Sequence, residues 1–310
     1  MIICFHHNDP DGYCAAAIVK LRHEEAYRAH QLTFISVDYK DLEHLDFSNI
    51  TGKDEVIIVD FSFPPVVLMK LKEYTKKIIW IDHHATAKSY GYDDLPGLRD
   101  FTGQKSGCEL TWEYYISNTK DVLGIVCSSG PEMPTAVRLI GDYDTWRMKE
   151  KAISVPFFEG LKSYDGLSSP ASALWYNLLL WEGRAGLISE MIQAGHACIR
   201  YRRAYGAQII KSFGYITHID GIEAIAINCF GFGSLLFEDI EVEQPIKICY
   251  VFDGEKYTIS FYSETVDVSV IARKLGGGGH RGASGCVRLV LPFVRERGIN
   301  EAPEINKSAQ

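Results

Sequence analysis

Short runs of apolar residues alternate with amphipathic stretches through the first third of the chain. The runs predict strands in "MIICF" (1–5), "LTFISVDY" (32–39), "DEVIIVDFSF" (54–63) and "KIIWIDHH" (77–84). The stretches "GYCAAAIVKLRHEE" (12–25) and "PPVVLMKLKEYTKK" (64–77) predict helices. Continuous apolar strands that alternate with helices indicate a parallel sheet with helices on both faces. We therefore expect an α/β fold at the N-terminus.

The pattern changes twice further along the chain. It is mostly helical from about Ser106 to Trp146 and again over 170–213, where the later part predicts a linking helix. Short strands follow Tyr215, with Asp253-Gly254 as a hairpin turn. They are predicted in "IEAIAINC" (222–229), "PIKICYVFD" (245–253) and "KYTISFYSE" (256–264). The pattern thus predicts an α/β domain at 1–185, a linker helix at 186–213, a smaller mixed α/β domain at 214–295 and a tail at 296–310.

Composition and charge narrow the class of protein. Hydrophobic residues make up 46% of the 310 positions and charged residues 23%, which is typical of a globular protein. The net charge of −8 disfavours a protein that binds long nucleic acid, but allows a short anionic substrate held by metal and a few arginines. Without a signal-peptide pattern, a membrane-spanning run or a C-x-x-C pair, we expect a cytoplasmic protein with reduced cysteines and no membrane partner. The sequence is compatible with a homodimer.

Aspartates and histidines follow apolar runs in four separate segments. These are "HHNDPDG" (6–12), "IIVDFS" (57–62), "WIDHH" (80–84) and "IGDYDTW" (140–146). Parallel strands bring such residues to one sheet edge, where several carboxylates would repel one another. Two divalent cations would cancel that charge and hold a phosphoryl group for in-line attack. Mixed carboxylate and imidazole ligands favour Mn²⁺ over Mg²⁺. A single aspartate after a strand is usually a cap or turn residue, but four such segments together favour a metal site.

A glycine-rich segment, "GGGGHRGASG" (276–285), carries a second candidate chemistry. Glycines let the backbone approach a ligand closely, and successive N–H groups can cradle a phosphate. His280 and Arg281 add a donor and a fixed cationic group, and Arg273 is a further candidate. The segment predicts a phosphate-binding site, with a loop that binds no ligand as the alternative.

With these motifs the sequence resembles the DHH phosphoesterases, which are named for the triplet found here at 82–84. The glycine-rich segment resembles the signature of the DHHA1 domain that often follows. The "HNDPDG" and "GDYDTW" segments are similar to those of short oligoribonucleases, also called nanoRNases, and of nucleotide phosphodiesterases. The resemblance implies a phosphodiesterase with two divalent ions, Mn²⁺ in preference. Its implied substrate is short RNA of about two to five nucleotides, which it would hydrolyse to mononucleotides.

The resemblance also implies roles for individual residues. The implied metal ligands are His7, Asp9, Asp11, Asp60, His83 and Asp142. Asp60 would bridge both ions, Asp144 is a weaker candidate, and His6 is the alternative to His7. The implied catalytic residues are His84, which would contact the phosphate or leaving group, and Asp82, which would orient the histidines. The implied residues for the distal end of the substrate are Arg273, Gly277, Gly278, Gly279, His280 and Arg281.

Several other functions stay open at this stage. The substrate could be a cyclic mono- or dinucleotide, the 3′-phosphate of adenosine 3′,5′-bisphosphate, or a pyrophosphate or polyphosphate. The glycine-rich segment disfavours the last of these, since they carry no nucleobase. From another class, the chain could be a nucleotide-binding regulator without catalysis, but none of the implied ligand positions is replaced.

Overall fold

A computed structural model describes residues 1–92, 94–115, 121–122, 125–126, 132–180, 185–229, 231–237, 242–279 and 281–299. The chain divides into two compact units, residues 1–198 and 199–310. The division falls inside a long helix, Ala185–Phe213. Within the described ranges, no helix combines the length and the apolar character that a bilayer span requires.

The first unit is built on a four-stranded parallel sheet. Its strands, in the order β2-β1-β3-β4, are β1 (Ile2–His7), β2 (Leu32–Val37), β3 (Glu55–Val59) and β4 (Ile78–Ile81). His7 at the end of β1 lies beside Val37 at the end of β2, and His6 lies beside Val59 at the end of β3. Residues that directly follow these strands are therefore brought to one edge of the sheet.

Helices cover both faces of this sheet. They are α1 (Pro10–Arg22), α2 (Glu24–Arg28), α3 (Pro65–Tyr74), α4 (Gly107–Tyr115), α5 (Thr135–Asp144), α6 (Lys151–Leu161), α7 (Ala173–Leu180) and α8 (Ala185–Phe213). Side chains of β3 alternate between two cores: Ile57 packs with residues of α1 and α4–α7, whereas Ile58 packs with residues of α3. The predicted α/β fold with a parallel sheet covered on both faces is confirmed.

The start of α1 fixes two acidic residues relative to the end of β1. Asp9 caps the helix by accepting a hydrogen bond from the N–H of Gly12 at 2.9 Å, and Pro10 is the first helical residue. A Cβ at Gly12 would lie only 2.4 Å from the carbonyl oxygen of His7, so any side chain there would clash with β1. Glycine therefore permits the close approach of α1 to the end of β1.

The segment from Ser106 to Trp146 is less helical than its sequence predicts. Two short antiparallel strands, β5 (Asp121–Val122) and β6 (Ile125–Val126), lie between α4 and α5. Three of their four residues are β-branched, which favours strand over helix.

The second unit contains a seven-stranded mixed sheet. Its strands are β7 (Tyr215–Ile219), β8 (Ile222–Asn228), β9 (Ile246–Phe252), β10 (Tyr257–Tyr262), β11 (Gly278–Gly279), β12 (Ala283–Arg288) and β13 (Arg297–Gly298). The order is β11-β12-β10-β9-β8-β7-β13, and among the described strands of this sheet only β8 and β9 pair in parallel. Helix α9 (Val268–Lys274) packs on this sheet. The predicted hairpin at Asp253-Gly254 joins β9 to β10, whereas β13 extends the sheet into the segment predicted as a tail.

Candidate metal centre

Carboxylates and imidazoles converge where the strands of the first unit end. Three overlapping sets offer ligand atoms that lie within 4.8 Å of one another. They are His7, Asp9 and Asp60; Asp60, His83 and His84; and Asp11, His83 and Asp144. Asp60 and His83 each belong to two sets, so the described residues could hold more than one metal ion in a shared cluster.

Asp60 lies at the centre of the cluster and has an unusual environment. It is 1% exposed, and its backbone has a φ of 51°, a left-handed conformation that is costly for a non-glycine residue. Its backbone N–H is fixed by a 2.9 Å hydrogen bond to the carbonyl of Ile81. Among the described residues, neither carboxylate oxygen has a hydrogen-bond donor of good geometry. The closest ion-pair nitrogens are His83 Nε2, 3.1 Å from Oδ1, and His7 Nδ1, 3.9 Å from Oδ2.

Such a carboxylate fits a site for a cation. Burial raises the pKa of Asp60 well above its ordinary value, and the negative charges of Asp11 and Asp9 raise it further. Leaving a buried carboxylate without donors costs stability, and a divalent ion would supply the missing partner for both oxygens. The donor set of carboxylates and imidazoles is also the one that Mn²⁺ accepts.

His7 and Asp9 form the side of the cluster next to α1. His7 Nδ1 lies 2.8 Å from Asp9 Oδ2. Burial acts to raise the pKa of Asp9 and to lower that of His7, but their mutual contact outweighs burial, so the pKa of Asp9 falls and that of His7 rises. His6 is buried with its Nδ1 2.9 Å from the carbonyl oxygen of His7, and it belongs to none of the three sets. The structure therefore places His7, and not His6, beside the aspartates.

Asp11 is held at the N-terminus of α4. Its carboxylate accepts hydrogen bonds from the N–H of Gly107 at 2.7 Å, the N–H of Cys108 at 3.0 Å and the hydroxyl of Ser106 at 2.9 Å. The first N–H groups of a helix have no partner within it and stabilise negative charge. These bonds fix the buried carboxylate so that its Oδ2 lies 3.7 Å from His83 Nε2.

His83 Nε2 is the nitrogen on which three carboxylates converge. It lies 3.1 Å from Asp60 and 3.3 Å from Asp144 Oδ2, in addition to its contact with Asp11. Burial lowers the pKa of His83 although Asp11 acts in the opposite direction, so the neutral, metal-binding form of the imidazole is favoured. Burial and the charges of Asp11 and Asp9 raise the pKa of Asp144 well above its ordinary value.

Asp142, the ligand implied by the resemblance in this segment, is placed differently. Its carboxylate accepts hydrogen bonds from the backbone N–H groups of Lys149 at 2.9 Å and Glu150 at 3.1 Å, and it belongs to none of the sets of ligand atoms. Two residues along α5 correspond to about 200° of rotation, so only one of the two aspartates can face the cluster. The structure gives that position to Asp144, and Asp142 stabilises the turn after the helix.

Asp82 and His84 form a hydrogen-bonded pair beside the cluster. Asp82 Oδ1 lies 2.8 Å from His84 Nδ1, and Asp82 Oδ2 accepts a hydrogen bond from the hydroxyl of Ser62. The Ser62 hydroxyl in turn accepts a hydrogen bond from the indole N–H of Trp80. Burial lowers the pKa of His84, but the hydrogen bond and charge of Asp82, together with the charges of Asp9 and Asp11, outweigh burial, and the net pKa is raised. Asp82 thus holds Nδ1 and leaves Nε2 of His84 available.

The sequence did not single out three residues that lie beside the cluster: Glu109, Arg147 and Tyr39. Glu109 accepts a hydrogen bond from the N–H of Ser106 and two from Arg147, at 2.9 and 2.8 Å. The S-x-x-E spacing of Ser106 and Glu109 is the signature of a capping box and could have located this helix start.

Tyr39 lies two residues beyond β2, with its ring centroid 6.2 Å from that of His7 and 6.5 Å from that of His84. Burial and the charges of Asp82 and Asp60 raise the pKa of its phenol.

The glycine-rich segment lies in the second unit. Gly278 and Gly279 form β11. A Cβ at Gly277 would lie 2.0 Å from the carbonyl oxygen of Gly285, so the packing of Gly277 against β12 is by itself a sufficient reason for glycine at this position. Arg273 and Arg281 are exposed, and His280 lies outside the described residues. The substrate-binding role implied for this segment stays a prediction.

Comparisons with known proteins agree with this geometry. Residues 1–129 match the model of the DHH family, N-terminal domain. An uncharacterized protein, R106, of Acanthamoeba polyphaga mimivirus is 28% identical over 315 residues, which cover 95% of this chain and 70% of that protein. The DHH domain of a member of the s1p family of ribosomal proteins has a similar structure, with a TM-score of 0.52 at 14% identity, over 93% of this chain and 82% of that one.

Two further solved structures are similar at lower scores. A pGpG-specific phosphodiesterase, PggH, of Vibrio cholerae has a TM-score of 0.46 at 13% identity, over 93% of each chain. RecJ of Thermus thermophilus in complex with Mn²⁺ has a TM-score of 0.48 at 17% identity, over 93% of this chain and 49% of that one. The stretch that matches the DHH family model, residues 1–129, is also the part of the chain that carries the Asp82-His83-His84 triplet.

Proposed function

We propose that this protein is a phosphodiesterase that uses two divalent metal ions, Mn²⁺ in preference, to hydrolyse short oligoribonucleotides to mononucleotides. The observation that carries the proposal is the environment of Asp60. This carboxylate is buried, belongs to two sets of ligand atoms and accepts no good hydrogen bond from the residues that the structure describes, so it is costly unless cations bind it. Its left-handed backbone shows that this position is maintained against a conformational cost.

The ligand sets divide between the two ions. His7 and Asp9 would hold one ion; Asp11, His83 and Asp144 would hold the other, and Asp60 would contact both. This assignment uses Asp144 in place of Asp142, because the carboxylate of Asp142 is committed to the backbone of the following turn. Bound divalent ions would neutralise the carboxylates, polarise a phosphoryl group and lower the pKa of water at the site.

His84 would supply the proton that the leaving group requires. Its Nδ1 is held by Asp82, which fixes the ring and raises the pKa of the imidazole, so the protonated form that can donate from Nε2 is favoured. Transfer of that proton to the departing ribose oxygen would leave a neutral imidazole. Asp82 is itself fixed by Ser62, so the pair retains its orientation through the reaction.

The choice of short RNA rests on sequence rather than on geometry. The "HNDPDG" and "GDYDTW" segments resemble those of short oligoribonucleases, and the net charge of −8 disfavours long polyanions. Hydrolysis of cyclic nucleotides, of adenosine 3′,5′-bisphosphate or of pyrophosphate, and binding without catalysis, are alternative outcomes of one experiment.

That experiment is a substrate panel with Mn²⁺-loaded protein. The panel contains a dinucleotide, a five-mer, a twenty-mer, a cyclic dinucleotide, cyclic AMP, adenosine 3′,5′-bisphosphate and pyrophosphate, with products separated by chromatography. We expect the dinucleotide and the five-mer to be cleaved fastest, and EDTA to abolish the reaction. Cleavage of the twenty-mer at the same rate as the dinucleotide would refute the short-substrate proposal. Failure to cleave any member, with Mn²⁺ bound, would refute catalysis.

A further inference from the structure

The acidic cluster has few donors that could hold a phosphoryl group besides metal ions. In the described part of the chain, the recorded ion pairs of Asp9, Asp11, Asp60, Asp82 and Asp144 are with histidines alone. Arg147, the nearby arginine, is bound to Glu109 and to the carbonyl of Gln104. A substrate phosphoryl group carries several oxygens that accept hydrogen bonds, so a donor in addition to His84 would stabilise it.

Tyr39 is positioned to be that donor. It follows β2, whose end lies beside the end of β1, so the tyrosine reaches the same sheet edge as His7. Its ring packs at a centroid distance of 4.7 Å against Phe61, which is fully buried and directly follows Asp60. The rings of His7 and His84 meet Tyr39 nearly edge-on, at interplanar angles of 68° and 79°. Phe61 and the two histidines therefore fix the ring on one side.

The other side of Tyr39 is open to solvent. The residue is 42% exposed although it lies beside a buried cluster, and its hydroxyl makes no recorded hydrogen bond to the described residues. A phenol keeps its proton near neutral pH and so serves as a hydrogen-bond donor to an anion. A structural tyrosine in this position would be expected to bury its ring or to bond its hydroxyl to the protein.

We propose that the Tyr39 hydroxyl donates a hydrogen bond to a phosphoryl oxygen of the substrate at the metal centre. The proposal rests on the proposed function and adds a substrate-binding residue to it. In this role Tyr39 donates a hydrogen bond but neither gains nor loses a proton. The neighbouring His84, in contrast, would transfer a proton to the leaving group. Its hydroxyl acts on the phosphoryl group itself, so the effect is independent of the nucleobase.

The test compares Tyr39→Phe and Tyr39→Leu with the wild type and with Tyr92→Phe. Tyr92 is the matched control, because its hydroxyl donates to the backbone carbonyl of Phe63 inside the core. Three quantities are measured: Mn²⁺ binding by calorimetry, binding of inorganic phosphate to the Mn²⁺-loaded protein, and kcat/KM on a dinucleotide and on bis(p-nitrophenyl) phosphate, which has no nucleobase.

We expect Tyr39→Phe to bind Mn²⁺ normally. It should lose about 10- to 100-fold in kcat/KM on both substrates, the effect of one hydrogen bond to a charged acceptor, and should bind phosphate more weakly. Tyr92→Phe should lose thermal stability but retain phosphate affinity. Wild-type behaviour of Tyr39→Phe would overturn the proposal, as would a loss confined to Tyr39→Leu, which would assign the role to the ring. Impaired Mn²⁺ binding in Tyr39→Phe would also overturn it.

Failure of the proposed function is distinguishable from failure of this inference. If the wild-type protein binds Mn²⁺ and phosphate but hydrolyses neither substrate, the phosphodiesterase proposal fails, and the phosphate-binding comparison still decides the role of Tyr39.

Discussion

The substitution Gly107→Ala would displace the carboxylate of Asp60 without replacing any of the proposed metal ligands. Gly107 is the first residue of α4, and alanine is ordinarily the better helix former, by about 0.5–1 kcal/mol. Here, however, a Cβ would lie 2.4 Å from the Cβ of Asp60 and 2.6 Å from its Oδ1. Ordinary carbon–carbon contact needs about 3.5–4.0 Å, so one of the two residues must move by about 1 Å.

Neither side can move freely. Asp60 is buried, and its N–H is bonded to the carbonyl of Ile81, while the N–H of Gly107 is bonded to Asp11. We expect the overpacking to lower the free energy of unfolding by about 1–3 kcal/mol. A 1 Å displacement of a group in the reaction centre costs on the order of 100-fold in rate, so kcat/KM should fall by about that factor. Mn²⁺ should also bind more weakly, because Asp60 would contact both ions.

The assay combines Mn²⁺ calorimetry, thermal denaturation and dinucleotide hydrolysis, with Gly186→Ala as the matched control. Gly186 lies in α8, and a Cβ there meets nothing within 4 Å, so alanine should leave activity unchanged and stability equal or slightly higher. Wild-type Mn²⁺ affinity in Gly107→Ala would refute the reasoning, since Asp60 would then not be needed at the position described.

The remaining predictions concern charge, the fourth motif and the distal residues. The pKa of Asp60 is raised in the folded metal-free protein, so the stability that its carboxyl group contributes is lost as pH rises from the ordinary aspartate range to the raised pKa. The free energy of unfolding of Asp60→Asn relative to wild type should therefore grow by more than about 1 kcal/mol from about pH 5 to pH 8. A constant difference between the two proteins, measured by denaturation in EDTA, would contradict this. Asp144→Asn should lower Mn²⁺ affinity by at least about 100-fold, whereas Asp142→Asn should bind Mn²⁺ normally and lose about 1–3 kcal/mol of stability. If calorimetry shows the reverse pattern, Asp142 is the metal ligand. Arg281→Ala should raise KM about 10-fold with little change in kcat, while the control Arg28→Ala on α2 should change neither constant. A loss of kcat alone in steady-state kinetics of Arg281→Ala would place this residue at the reacting phosphate.

Much of the N-terminal fold follows from the sequence because its signals are local. Three of the four parallel strands, β1, β3 and β4, contain a continuous apolar run that ends beside polar residues at the sheet edge, so the positions of His7, Asp60 and His83 could be predicted together. The α4–α5 region is harder to predict, because residues 121–122 and 125–126 form short strands in a segment that is helical on either side.

Asp142 and Asp144 show why ligand identity needs the structure. Both occur in one short segment, and the choice depends on the rotation of α5 and on where the following turn places the N–H groups of Lys149 and Glu150. Tyr39 and Gly107 are further examples: their contacts with the cluster come from residues distant in sequence, and neither carries a local signal.

The most direct test of a shared two-metal centre is anomalous diffraction from crystals grown with Mn²⁺. We expect two manganese peaks in the first unit. One should contact His7 and Asp9, the other should contact Asp11, His83 and Asp144, and both should contact Asp60. A single peak, a peak bound to Asp142, or two peaks that leave Asp60 without a metal contact would contradict it.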